Sequence, residues 1–196
     1  MIQSYKDYKE YLRADLKSQN KKLGFKTFFF DVLVRFTFLL RFNEYLLNNN
    51  NPMIIRFFCL LWYKRLSIKL GFSIPFNVFD QGFAPVHYGL LLVHPRCKIG
   101  KNCRVHTGVT IGGYSGFANT FKEGELRPTV IGNNCYIGPG AKLFGGITIG
   151  PNCVIGANSV ISKSFKNNGV TIAGIPAKII AEKGSERFLI RGAKID

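Results

Sequence analysis

The sequence predicts a mainly β protein, a solenoid of short strands led by an N-terminal α-helical segment, and three observations predict it. From about residue 91 onward, aliphatic residues recur every six positions. Thirteen of the 18 Phe lie before residue 84, whereas 18 of the 21 Gly lie after it. No Gly or Pro interrupts the stretch from Phe25 to Leu47, where apolar residues recur at spacings of three and four. Two architectures therefore share the chain: a helical segment over residues 1–71 and a repeat domain over 72–180, followed by a C-terminal tail over 181–196.

In the helical segment, Phe25 to Leu47 reads as one helix, Asn48 to Pro52 as a loop, and about Met53 to Leu70 as a second helix. That second helix mixes Phe57, Leu60, Leu61 and Trp62 with Arg56, Lys64, Arg65 and Lys69. Helices packed on one another with solvated Lys and Arg is the first reading of this mixture. A peripheral contact with anionic lipid at the inner membrane surface is the second.

In the repeat domain the aliphatic positions are Val93, Ile99, Val105, Ile111, Ile131, Ile137, Leu143, Ile149, Ile155 and Ile161. Four residues past each stands a smaller residue, among them Cys97, Cys103, Val109, Cys135, Ala141, Cys153 and Ser159. A chain that turns every six residues builds a prism of parallel sheets with both positions pointing inward. The cysteines thus read as core packing, and Cys59 as a buried helix residue. The phase slips between Ile111 and Ile131, so a loop over 112–128 is expected to extrude, and such loops carry binding and chemistry.

Composition narrows the function classes. At 196 residues and 46% hydrophobic the chain supports one substantial core, which excludes a disordered tail. Five cysteines and the lack of an opening leader pattern set the expectation of a reducing cytoplasm. Charged residues interrupt every apolar run, so no spanning segment is expected. The net charge of +16 attracts polyanions in general, but no nucleic-acid motif accompanies it.

Only three histidines exist, His87, His94 and His106. With about 18 residues per coil, His87 and His106 stack near each other on adjacent coils beside the loop, a placement suited to proton transfer.

The stretch from His87 to Gly113, HYGLLLVHPRCKIGKNCRVHTGVTIGG, is followed by RPTVIGNNCYIGPGAKLFGGITIGPNCVIGANSV and AGIPAKII. Over about residues 72–180 these motifs resemble the serine acetyltransferase group of hexapeptide acyltransferases, most of all the branch associated with bacterial polysaccharide synthesis. The resemblance implies a left-handed parallel β-helix of hexapeptide repeats, acetyl-CoA as acyl donor, and a homotrimer. It implies that His87 is the general base, with the amides of Gly112 and Gly113 at the developing oxyanion. It carries cofactor contacts to Gly113, Ala157 and, with a departure, Pro139, while Lys163 and Lys178 stand where they could meet the phosphates of coenzyme A.

The departures bear on the acceptor. Val86 stands where the family has Asp before its base, Phe72 where it has a second Asp, and Leu126-Arg127 where it has Arg-His before Pro128. Asp80, Glu123 and Glu125 are then the carboxylates between residues 71 and 127 available to orient His87, and Asp80 ranks first. Arg127 and His106 are the candidate acceptor contacts, and His94 is expected to close a turn before Pro95.

The expected function is therefore acetyl-CoA-dependent O-acetylation of a sugar or cell-surface glycan precursor, with serine O-acetylation as the alternative. A zinc hydratase resembling the γ-type carbonic anhydrases is disfavoured, since no His follows the loop to supply that family's ligands, and no metal is expected.

Overall fold

Ser4 opens the chain's first helix with a reciprocal capping box, its hydroxyl accepting from the Asp7 amide while Asp7 accepts from the Ser4 amide. The computed structural model describes residues 1–49, 51–113 and 128–189. Helix α1 (Tyr5–Ser18) lays Tyr8, Leu12 and Leu16 against Val34, Phe38 and Phe42. Helices α2 (Phe25–Phe30), α3 (Val32–Asn48) and α4 (Met53–Leu70) complete the helical segment.

The single helix expected from Phe25 to Leu47 is broken at Asp31. Its backbone is extended, with φ −100° and ψ 107°, and its Oδ1 accepts from the Leu33 and Val34 amides at 3.0 and 3.2 Å. An aspartate ahead of an apolar run is a better start for a new helix than a link inside an old one, because its side chain satisfies amides that lack partners in the first turn.

Helix α4 stops at Gly71, whose φ of +73° is left-handed; a side chain there would also press on the Gly89 backbone at 3.1 Å. The solenoid begins at Phe72 and runs for about five turns, consistent with a left-handed β-helix of hexapeptide repeats. Its first face stacks Phe72–Ser73, Leu91–Val93, Thr110–Ile111, Lys142–Leu143 and Val160–Ile161. The second stacks Lys98–Ile99, Val130–Ile131 and Thr148–Ile149, extended by single bridges from Phe79 and Phe165. The third stacks Ala84–Pro85, Arg104–Val105, Tyr136–Ile137, Val154–Ile155 and Thr171–Gly174, closed by the antiparallel Ala177–Ala181.

Every aliphatic position of the six-residue period, from Val93 to Ile161, is at most 5% exposed, and Cys97, Cys103, Cys135 and Cys153 at most 2%. Cys59, expected in the core, is only half-buried on α4. Asn102, Asn134 and Asn152 turn the corner between the second and third faces at φ 55°, 56° and 57°, a conformation Asn adopts more readily than other side-chain-bearing residues. Their amides form a ladder, Asn102 to Asn134 at 3.0 Å and Asn134 to Asn152 at 3.1 Å.

Most of the expected loop lies outside the described residues, but its footprint is clear. Asn134 and Asn152 pair across 18 residues of sequence, whereas Asn102 and Asn134 pair in the same way across 32. Register is kept on both sides, with Ile99 beside Ile131 and Ile111 beside Leu143.

Arg41 fastens the helices to the first coil. Fully buried, it donates to both carboxylate oxygens of Asp15 at 2.7 and 3.2 Å, to Glu44 at 2.8 Å, and to the Phe79 and Asp80 carbonyls at 2.8 Å each. Asp15 also accepts from the Gly82 and Phe83 amides, and Glu44 from the Asn77 amide. Burial opposes the guanidinium's charge, but the two carboxylates outweigh it and raise the Arg41 pKa.

Candidate active site

The corner that joins the third face to the first carries a column of turns, coil upon coil: Val86–Leu90, His106–Val109, Gly138–Ala141 and Gly156–Ser159. Each turn follows a strand of the third face, and register puts one above another, with Pro85 beside Val105 and Val105 beside Ile137. His87, His106, Pro139 and Ala157 therefore share one edge of the prism. His87 is exposed, and its ring lies 6.3 Å from that of His106 at 68°. His106 is half-buried against Tyr136 at 5.1 Å, which in turn packs on Phe188 at 4.5 Å. Burial holds the His106 imidazole below its ordinary pKa, helped by the nearby Arg104 and His87.

His87 opens into a cavity of about 520 Å³ between this corner and the α2–α3 junction. Lys21, Lys26, Asp31, Val86 and Tyr88 line it with His87, and Asp31 is its only carboxylate among the described residues. The Asp31 carboxyl has two roles at once. One oxygen caps α3, and the other pairs with Lys21 at 2.6 Å. Partial burial pushes its pKa up, but the Lys21 pair and the Val34 and Leu33 amides win and hold it below the ordinary carboxylate value. It therefore stays ionised in the cavity that His87 also lines, with the Lys21 ammonium as its partner.

Asp31 is absent from the residues the sequence put forward. Its signal in the sequence is an Asp just before an apolar run in FFFDVLV, which marks a helix start rather than a site. Asp80, ranked first as the partner of His87, is not brought to it. The Phe79–Ile99 bridge carries Asp80 to the second face, where its Oδ1 accepts from the Tyr11 hydroxyl and the Gln81 amide, both at 2.7 Å. It lines a separate cavity with Tyr11 and Lys98.

The remaining candidates divide between places. Pro139 and Ala157 are exposed on the His87 corner. Gly113 lies at the next corner, between the first and second faces, close to His94. There the Gly112 amide already donates to the Leu143 carbonyl at 2.8 Å, so it is not available to an oxyanion as expected. His94 accepts from the Arg96 amide at 3.2 Å and closes its own turn. Lys163 stands at this second corner too, 5.5 Å over the Phe165 ring, and Lys178 is exposed on the antiparallel strand of the third face. Arg127 lies outside the described residues. Among the described residues no three His, Cys, Asp or Glu gather where they could hold a metal ion, and no helix is long and apolar enough to cross a membrane.

Residues 128–163 match the family described as bacterial transferase hexapeptide (six repeats). A serine acetyltransferase of Staphylococcus xylosus is 40% identical over 94 residues, which are 48% of this chain and 40% of that protein. Among solved structures, serine acetyltransferase from Brucella abortus strain S19 superposes with a TM-score of 0.68 at 26% identity, over 92% of this chain and 72% of that one. The same enzyme in complex with coenzyme A gives 0.64 at 23% identity, over 92% and 70%. The chain thus spans about two fifths of the length of the curated relative it matches, and it resembles the serine acetyltransferases in sequence and in fold. These proteins are named for serine. The expectation of a sugar or glycan acceptor, and of a place in polysaccharide synthesis, is corrected accordingly.

Proposed function

We propose that the protein is an acetyl-CoA-dependent O-acetyltransferase whose acceptor is serine, with His87 as the general base. The observation that carries this reading is the shared cavity, where an exposed histidine and an ionised aspartate face one space in a chain that resembles the serine acetyltransferases. Serine presents a hydroxyl to be deprotonated and an ammonium to be held. His87 supplies the base, and Asp31, paired with Lys21, is the carboxylate that the described residues bring to the cavity for the ammonium to share. The carboxylates that the family places before its base are missing at Val86 and Phe72, and Asp31 approaches from the helical segment instead.

In this reading the serine oxygen attacks the thioester carbonyl as His87 takes its proton. The carbon–sulfur bond then breaks, and the thiolate of coenzyme A leaves with that proton. An imidazole can both accept the proton from the hydroxyl and return it to the thiolate. Pro139 and Ala157 are the small exposed residues along which the cofactor's narrow arm would run, starting from the His87 corner.

The test is thiol release from acetyl-CoA with L-serine, measured for the natural chain, for His87→Ala and for Asp31→Asn. Release should require serine, and His87→Ala should lower kcat by about a hundredfold or more. Asparagine caps a helix as well as aspartate does, so Asp31→Asn should keep α3 and raise KM for serine. Absence of serine-dependent release in the natural chain would overturn the reading.

A further inference from the structure

Helix α4 carries apolar side chains on both its inner and its outer side, and among the described residues protein covers only the inner one. Tyr63, Leu66 and Leu70 are buried against α3 and the first coil, while Ile54, Phe57, Phe58 and Trp62 on the opposite stripe are 67%, 60%, 62% and 46% exposed. The uncovered stripe continues onto α2: Trp62 packs edge-on against Phe28 at 6.2 Å, and Phe28 against Phe29 at 5.4 Å, with Phe29 and Phe30 themselves 54% and 87% exposed. An apolar patch of this extent marks a surface that meets something else.

The charge around the patch says what. Lys64, Arg65 and Lys69 are exposed on α4, which carries no Asp or Glu, and Lys22 and Lys26 are exposed at α2. A second copy of the chain meeting this patch across a two-fold axis would set the cations of one α4 against those of the other, and α4 has no Asp or Glu to answer them. A bilayer with anionic headgroups meets both halves of the pattern, taking aromatic and aliphatic side chains into the headgroup–acyl boundary and phosphates onto the Lys and Arg.

We infer that the α2–α4 face docks on an anionic phospholipid surface, with the two helices lying in the interface plane. Phe30 belongs to this face and also lines the His87 cavity, so docking sets the mouth of that cavity beside the lipid–water boundary. The inference stands on the surface alone and does not depend on which acceptor His87 serves.

The full chain is sedimented with vesicles of phosphatidylcholine containing about one-third phosphatidylglycerol, and with pure phosphatidylcholine vesicles, while Trp62 fluorescence is recorded. Trp62 is the chain's single tryptophan, so its emission reports on this face. The expected result is co-sedimentation with the anionic vesicles and a blue shift of the emission. Lys64→Gln with Arg65→Gln should weaken binding roughly tenfold or more, and Phe57→Ser with Phe58→Ser, at exposed positions, should abolish the blue shift. Three outcomes overturn the inference: no binding to anionic vesicles at low salt; binding undiminished by the Phe57/Phe58 change, which is mere adsorption of a cationic protein; or a lipid-independent blue shift that follows a doubling of mass, which assigns the face to a second copy.

Discussion

His106 shows how far one side chain's surroundings reach. Burial on Tyr136 and the positive charge of Arg104 both disfavour its protonated form, so in the folded protein it binds a proton less readily than in the unfolded chain. Between its lowered pKa and the ordinary 6.5 the unfolded state holds more protons, and stability therefore falls as pH drops through that window. An NMR titration should find His106 below 6.5, and Arg104→Gln should move it upward; a native titration at or above 6.5 would contradict the burial argument. Of the residues named from sequence, His87 and His106 were legible because coil length converts separation into proximity. Asp31 and Asp80 were not, since the arrival of one in the His87 cavity and the exile of the other depend on how the helices seat against the prism.

At the scale of elements, the repeats could be read to the residue and the helices only in outline. A six-residue period states which side chain points inward, and the buried column from Val93 to Ile161 follows it without exception. A stretch such as FFFDVLVRF carries helical spacing on both sides of Asp31, so the break is visible only through the cap that replaces the lost backbone bonds. The Arg41 cluster was likewise hidden, because the sequence offers no period that pairs Arg41 with Asp15 and with carbonyls near residue 80. Replacing Arg41 with Ala leaves two buried carboxylates without their cation, and should cost about 3–5 kcal/mol in denaturant unfolding. A loss below about 1 kcal/mol would mean that water reaches the cluster and that it is no fastening.

For the whole molecule, the candidate cofactor contacts are divided between two corners of the prism. Pro139 and Ala157 lie with His87, while Gly113 and Lys163 lie one face away. One groove uses both sets only if the second corner of a neighbouring copy stands beside the first corner of this one. Cyclic closure of such head-to-tail contacts would complete that groove in every copy. Light scattering should return three times the 22.0 kDa of a single chain, and a stable, active monomer would require all cofactor contacts to come from the His87 corner. The fold class was legible because repetition averages out local ambiguity; the seating of helices on prism happens once and leaves no periodic trace.

The two ends of the long segment between Gly113 and Pro128 are pinned together, since the Thr129 hydroxyl donates to the Gly112 carbonyl at 2.7 Å and the strands on either side keep their neighbours. A span anchored in this way can change length at a cost that grows only logarithmically. Insertion or deletion between these two anchors should therefore leave the prism's melting temperature nearly unchanged.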